Sequence, residues 1–425
     1  MRSQIIRNIT WLGTASLAVK PFWIFFLVAL TPRLLGPQEY GILSATLALA
    51  AMAGSFADLG MSQYTLREVA RTPNQATTFF SNFFVLRCLL LTAGICITLL
   101  AAWLLGYSTE ALAAAVFAGL YWSLENLTYY VRIYFRAFET LRPEALLTVL
   151  EKVLVIACGS LLLWYTRQAA WTLAGMAAGM ALATIANIQG VTRHLAAFRT
   201  NVIRLSFLRR AIYAMLPLGV AGLLTVFYTR VDLVMIEAML GETPAGQYGQ
   251  AYRVMQALGL IPFVVAYSAL FPRLAATFRQ GVHAKFQRLV HLGLTGLGGI
   301  GIITALLLTW LAPALIHLLA PDPGFKLAGD TLIILGWTFP FTCLNSLLYI
   351  ALISMNHHRI PLLTLLIATS LNVGLNFLVI PHYGIQGAAF VTVLSEIWIT
   401  ASYCLYYFFF VSWPSEKPGA SSPSP

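Results

Sequence analysis

Apolar residues run along this chain in blocks of about twenty or more. Short stretches between them hold most of the charges, glycines and prolines. A helix needs ~20 mostly apolar residues to cross the hydrocarbon core of a bilayer. That rule predicts twelve spanning helices, at 8–30, 41–62, 80–104, 111–136, 143–165, 171–192, 211–235, 246–271, 288–311, 330–354, 360–380 and 385–411. The first run is too long for a signal-peptide core and no small-x-small cleavage site follows it, so it is expected to remain as a helix.

Composition changes the picture only by closing off alternatives. Hydrophobic residues make up 59 % of the 425 and charged residues 10 %, with a mean hydropathy of +0.79. Soluble domains carry about 25 % charged residues, so this chain has too few to cover a water-facing surface. Soluble, disordered, collagen-like and coiled-coil classes fall on that ground. The reading is an all-α integral membrane protein.

The net charge of +11 lies mostly in the connections. Membrane topology and anionic lipid headgroups account for it better than nucleic acid does. With the N-terminus in the cytoplasm, eighteen Lys and Arg fall inside and three (Arg33, Arg167 and Lys326) outside. The positive-inside rule then places both termini in the cytoplasm. Residues 193–210 carry five arginines and read as a cytoplasmic linker between an N-terminal six-helix lobe, 1–192, and a C-terminal one, 211–411. The Pro/Ser-rich tail, 412–425, is expected to be disordered. Cys88, Cys96, Cys158, Cys343 and Cys404 all fall inside apolar runs without a CxxC pair, and read as single buried thiols.

The chain also repeats itself. Leu35 to Gly41 (LGPQEYG) follows the first helix and Leu240 to Gly249 (LGETPAGQYG) follows the seventh. Each sets Leu-Gly at the outer end of one helix and Tyr-Gly at the start of the next. A weaker echo pairs Arg142-Pro143 with Ile360-Pro361 at the starts of the fifth and eleventh helices. Two lobes related by an internal repeat, with a central cavity between them, are a common plan of secondary transporters.

Residues 33–71 (RLLGPQEYGILSATLALAAMAGSFADLGMSQYTLREVAR) resemble the opening of the bacterial polysaccharide flippases. Residues 228–262, FPRLA (271–275) and LNVGLNFLVIPHYGIQGAAFVTVLSE (371–396) are similar to the same family. It belongs to the multidrug/oligosaccharidyl-lipid/polysaccharide exporter superfamily. The resemblance implies carriage of an undecaprenyl-diphosphate-linked oligosaccharide across the bacterial inner membrane, for O-antigen or exopolysaccharide. Members often carry a basic residue on this first helix, and Asp58 with Arg67 looks like the family's inner gate, an ordinary cap and loop charge being the equal alternative.

Ionisable groups at bilayer depth are costly and face a partner or a wet cavity. Lys20 lies near the middle of the first span beside Pro21, either in the cavity or in a helix–helix pair. Trp122, Glu125, Tyr129, Arg132 and Arg136 step by three and four residues, so they share one face of the fourth helix. That face either lines the cavity or packs through ion pairs. Rings stack on sugar C–H faces and charges bond hydroxyls, which suits a sugar site; Glu125 is the candidate proton carrier. Arg230 and Asp232 point to opposite sides of the seventh helix. Arg253 on the eighth pairs with Asp232, leaving Arg230 to the cavity, or the reverse. Glu151 and Lys152 read as structural partners, and Glu396 has no evident one. Asn372 with Asn376, and Thr342, Asn345 and Tyr349, read as interhelical glue.

Other motifs carry little. GLGGIG (296–301) has no strand before it and Gly175 and Gly179 lie mid-helix, so both read as close helix packing. His357-His358 has no further ligands around it, and no Walker A sequence is present, so neither a metal nor a nucleotide cofactor is expected. The expected activity is therefore not enzymatic: a flippase using a proton or sodium gradient, with the lipid-linked oligosaccharide, membrane lipids and other polysaccharide-assembly proteins as partners, and no nucleic acid. A multidrug or organic-cation antiporter would need more cavity acids than bases. A polysaccharide polymerase or ligase would need a larger outer loop than 312–329. A scaffold without transport would not need buried charges along several helices.

Overall fold

A computed structural model describes residues 19–411. Residues 8–18 of the first expected span and the tail 412–425 lie outside the described residues. The described chain is helical throughout: α1 (Val19–Ser55), α2 (Met61–Arg71), α3 (Ala76–Leu104), α4 (Thr109–Ala137), α5 (Leu141–Thr166), α6 (Ala169–His194), α7 (Leu205–Leu240), α8 (Glu242–Arg279), α9 (His283–Leu319), α10 (Lys326–Gly336), α11 (Phe339–Ser354) and α12 (Arg359–Phe410).

Among the described residues, eight of these are long and apolar enough to cross a membrane, and the bent pair α10–α11 makes a ninth. Two of the eight are broken into two arms. α1 breaks at Gly36 (φ 74°) and α12 at Gly384 (φ 60°), left-handed conformations that glycine adopts without a Cβ penalty. α4 has 29 residues, about 43 Å at ~1.5 Å per residue, long enough to cross although its middle is more polar than the eight. Among the described residues, counting each arm and α4 gives twelve segments that match the twelve apolar runs.

The repeat has a backbone signature. Gly36 (φ 74°, ψ 175°) and Gly241 (φ 89°, ψ −171°) occupy matching positions of the two Leu-Gly turns in nearly the same conformation. Pro143 and Pro361 each stand third in their helices.

By contacts the chain divides into two compact units. One holds residues up to Gln250 with Ile316–Leu327; the other holds Ala251–Leu315 and the residues from Ala328 on. In the first unit, α5 and α6 approach closely because Gly175 and Gly179 admit the Cys158 and Leu154 carbonyls, where a Cβ would collide. Lipid is as apolar as leucine, so such small-residue contacts, not hydrophobic burial, hold helices together here. Large apolar side chains such as Leu89, Leu100, Trp103, Leu161 and Trp164 are left exposed to lipid. The arginine-rich linker is tied to α3: Ser81 accepts from Arg199 N–H (2.9 Å) and Asn82 from Arg204 N–H (2.8 Å). In the second unit, Glu396 has a partner, the Asn345 amide at 2.7 Å, and Asn345 in turn accepts from Thr400. Asn376 donates to Asn372 (3.1 Å), which donates to Ser395 (3.4 Å). All five cysteines are free; Cys343 is buried but Cys96 is exposed, facing outward from α3 rather than inward.

The repeated motif also repairs a break in α1. Residues Phe26–Leu30 form a π turn in which Thr31 N–H reaches Phe26, and Pro32 has no N–H to give. The Leu27 carbonyl accepts instead from the Thr31 and Tyr40 hydroxyls, each at 3.0 Å. The Val28 carbonyl accepts from the fully buried Gln250 amide at 2.8 Å. Gln250→Leu leaves that carbonyl without a donor and should destabilise the protein by about 1–3 kcal/mol. A lowered unfolding midpoint of the purified protein is the expected reading; an unchanged midpoint would contradict this role.

Candidate functional site

The polar stripe of α4 meets α5 and the arm of α1 that follows Gly36, all within the first unit. Its upper residue, Trp122, lies against Gly54 of α1, where any side chain would collide with the ring. Thr128 fixes the rotation of α4 by bonding Thr184 of α6 at 2.7 Å. The charges then face α5. Arg132, buried, donates to the Thr148 hydroxyl (2.8 Å) and pairs with Glu151. Arg136 bonds Glu144 at 2.6 Å and stands 5.4 Å over the Tyr129 ring. Lys152 lies 2.8 Å from Glu151 and 3.3 Å from Glu125.

Three carboxylates (Glu125, Glu144 and Glu151) thus neutralise three bases (Arg132, Arg136 and Lys152). Such balance is what allows charges to sit inside a membrane protein. Lys20 breaks it. With Val19, Trp23, Thr148 and Lys152 it borders a cavity of about 120 Å³, and no described carboxylate pairs with it. Lys152 lies 4.8 Å over the Trp23 ring. The site therefore offers two ammonium groups and an indole face around one space, with one positive charge in excess.

The sequence stripe is therefore split by the structure. Lys152 borders the cavity with Glu125 behind it, Arg132 turns into the α4–α5 contact, and Trp122 packs on α1. Trp23, Thr148 and Glu144 are members that the sequence reading did not single out. Trp23 was findable, three residues after Lys20 and so on the same face.

A family model described as polysaccharide biosynthesis protein matches residues 5–278, well over half of the chain. The chain belongs to that family. A second family model, MatE, matches residues 217–378. No curated protein matches. Among solved structures, an inward-facing multidrug resistance MATE family transporter of the MOP superfamily is 14 % identical over 90 % of this chain and 92 % of its own, with a TM-score of 0.73. The lipid II flippase MurJ in an inward closed conformation is also 14 % identical, over 93 % and 87 %, with a TM-score of 0.73. An outward-facing MATE family transporter follows at 16 % over 95 % and 94 %, TM-score 0.62. The fold is that of the MOP superfamily.

In this polysaccharide biosynthesis protein Asp58, Arg67, Arg230 and Asp232 are not among the residues bordering that cavity. Asp58 pairs with Arg87 at 2.7 Å and accepts from Ser62, while Arg67 turns to Glu68 at 2.9 Å. Asp58 and Arg67 are thus not joined to each other, and Asp58 instead links the turn after α1 to α3. Arg87 is fully buried, 3.3 Å from the Ser62 hydroxyl and 5.1 Å over the Tyr130 ring. Asp232, buried, accepts from the Tyr248 hydroxyl at 2.9 Å. Arg230 and Arg253 are half-buried.

Proposed function

We propose that this protein is a flippase, moving an undecaprenyl-diphosphate-linked oligosaccharide from the cytoplasmic to the outer leaflet by alternating access. It would sit in the bacterial inner membrane with both termini cytoplasmic, drawing on an ion gradient and performing no chemistry on its substrate. Lipid and other polysaccharide-assembly membrane proteins would be its neighbours. The observation that carries this reading is the excess positive charge of Lys20 beside Lys152 and Trp23, in a chain of a polysaccharide biosynthesis family.

An unpaired ion in hydrocarbon costs on the order of tens of kcal/mol in the idealised limit. A sugar diphosphate can cross only where fixed cations replace water. Ammonium groups suit phosphate as point charges, and an indole face suits a sugar ring. The polyprenyl tail can remain in lipid throughout. Glu125 keeps its place as a proton carrier on this reading, since protonation would release Lys152 from it and free that ammonium for the diphosphate. An organic-cation antiporter would be poorly served by a cavity bordered by two lysines.

Lys20→Ala removes one charge-assisted contact of about 1.5–3 kcal/mol. It should lower flipping of the lipid-linked oligosaccharide in proteoliposomes about ten- to a hundredfold, with membrane protein levels unchanged. Lys20→Arg should retain part of the activity. Full activity in Lys20→Ala would remove the cavity from the transport path.

A further inference from the structure

A second, larger cavity of about 540 Å³ lies in the first unit, at the end of the helices opposite the arginine-rich linker. Gln38, Tyr107, Ser108, Glu237, Gly241 and Glu242 are among the residues around it. Its position follows from the repeat: Gly241 ends α7 with a left-handed turn, and Glu242 opens α8 directly beneath it. Both carboxylate oxygens of Glu242 are engaged, one by the Ser108 hydroxyl and one by the Gln38 amide at 2.8 Å.

Glu237 differs. It is 5 % exposed, and its Oε2 has no hydrogen-bond partner. Tyr107, 7 % exposed, likewise has an unpartnered hydroxyl at the same cavity. Burial, and behind it the charge of Glu237, pushes the Tyr107 hydroxyl far above the usual tyrosine range, so it stays protonated and neutral. The charges around Glu237 have one sign. Glu242 of α8 faces it, and Glu242 in turn lies near Glu39 of α1, which also feels Glu110 of α4. No lysine or arginine borders the cavity.

A buried carboxylate oxygen that meets no donor and only like charges is strongly unfavourable as a bare anion. The two residues border one cavity, and their unpartnered oxygens, anionic and hydroxyl, are buried without bonding each other. We propose that this cavity takes up one small cation, a proton or a sodium ion, onto Glu237, with Tyr107 as the second oxygen. The proposal rests on the flippase reading only for its use: the site would be where the driving ion enters from the outer side. Binding itself needs no oligosaccharide, so the test is independent of the transport assay.

The test is the unfolding midpoint of the full-length protein in lipid nanodiscs without lipid-linked sugar. One arm adds sodium chloride against N-methylglucamine chloride at fixed alkaline pH; the other lowers pH without sodium. In the wild type at least one arm should raise the midpoint by about 2 °C or more at saturation. Glu237→Gln should abolish the response. Tyr107→Phe should move a sodium response about tenfold to higher concentration but leave a pure proton response in place, which separates the two ions. A response retained by Glu237→Gln, or no response in either arm of the wild type, overturns the proposal. Should Glu237→Gln fail to fold, Glu242→Gln carries the test. Removing the like charge must shift the response to higher sodium or lower pH, and an unshifted response overturns the proposal equally.

Discussion

Replacing Asp58 with alanine should cost this protein more stability than replacing its partner Arg87 with methionine. The pair is asymmetric: the Arg87 side chain is fully buried, whereas the Asp58 side chain is 32 % exposed. Asp58→Ala strands a guanidinium that has no water to turn to, a loss of about 3–5 kcal/mol. Arg87→Met leaves a carboxylate that solvent can reach, and methionine fills much of the space against Tyr130, so about 1–2 kcal/mol is expected. The double variant should resemble Arg87→Met alone, recovering most of the protein lost in Asp58→Ala. Quantifying folded protein extracted from membranes for all three decides it. Equal losses in the two singles, or a double no better than Asp58→Ala, would mean that the pair does not hold the turn after α1 to α3.

A single methyl group added at Gly246 should have the second large effect. Gly41 of α1 and Gly246 of α8 meet backbone to backbone. A Cβ on Gly246 would overlap the Pro37 carbonyl, and one on Gly41 the Glu242 carbonyl. Neither obstacle is a flexible side chain that could swing aside, so the helices must separate. Overpacking of this kind costs typically ~1–3 kcal/mol. On the alternating-access reading, that loss falls on the state in which the two repeat turns touch. Spin labels at Gln38 and Thr243 should therefore report a longer mean distance in Gly246→Ala. Gly299→Ala on α9 meets open space and serves as the control that should change nothing. An unchanged distance in Gly246→Ala would show that the contact is looser than drawn.

Much of the architecture was legible in the sequence because a bilayer allows so few solutions. Backbone groups must be satisfied within helices, so the spacing of apolar runs alone places the crossings. The Leu-Gly turns were legible for a related reason, since the chain can reverse there only with a left-handed residue. Partner choice was not legible. Arg132 shares a helical face with Glu125 and Tyr129, and nothing in that spacing says that α5 will present Glu151 and Thr148 to it. Asp58 lies nine residues from Arg67 and twenty-nine from Arg87, yet the fold brings the distant residue to it. Glu237 passed unnoticed because its pattern is faint: a lone acid near the end of an apolar helix, three residues before a Leu-Gly turn. What marks it is an unmet oxygen, which only coordinates reveal.

The ion pairs between α4 and α5 bear on how this protein is made. α4 is more polar along its middle than the eight long apolar helices. An arginine, lysine or aspartate at a helix centre raises the insertion free energy by ~2.5–3.5 kcal/mol, and α4 carries Glu125, Arg132 and Arg136. Their partners Glu144, Glu151 and Lys152 are all on α5, the next segment to leave the ribosome. The translocon therefore has reason to hold α4 until α5 arrives and to release the two as a neutralised hairpin. During synthesis, a variant that removes the α5 charges would strand α4 in the wrong compartment before any question of transport arose.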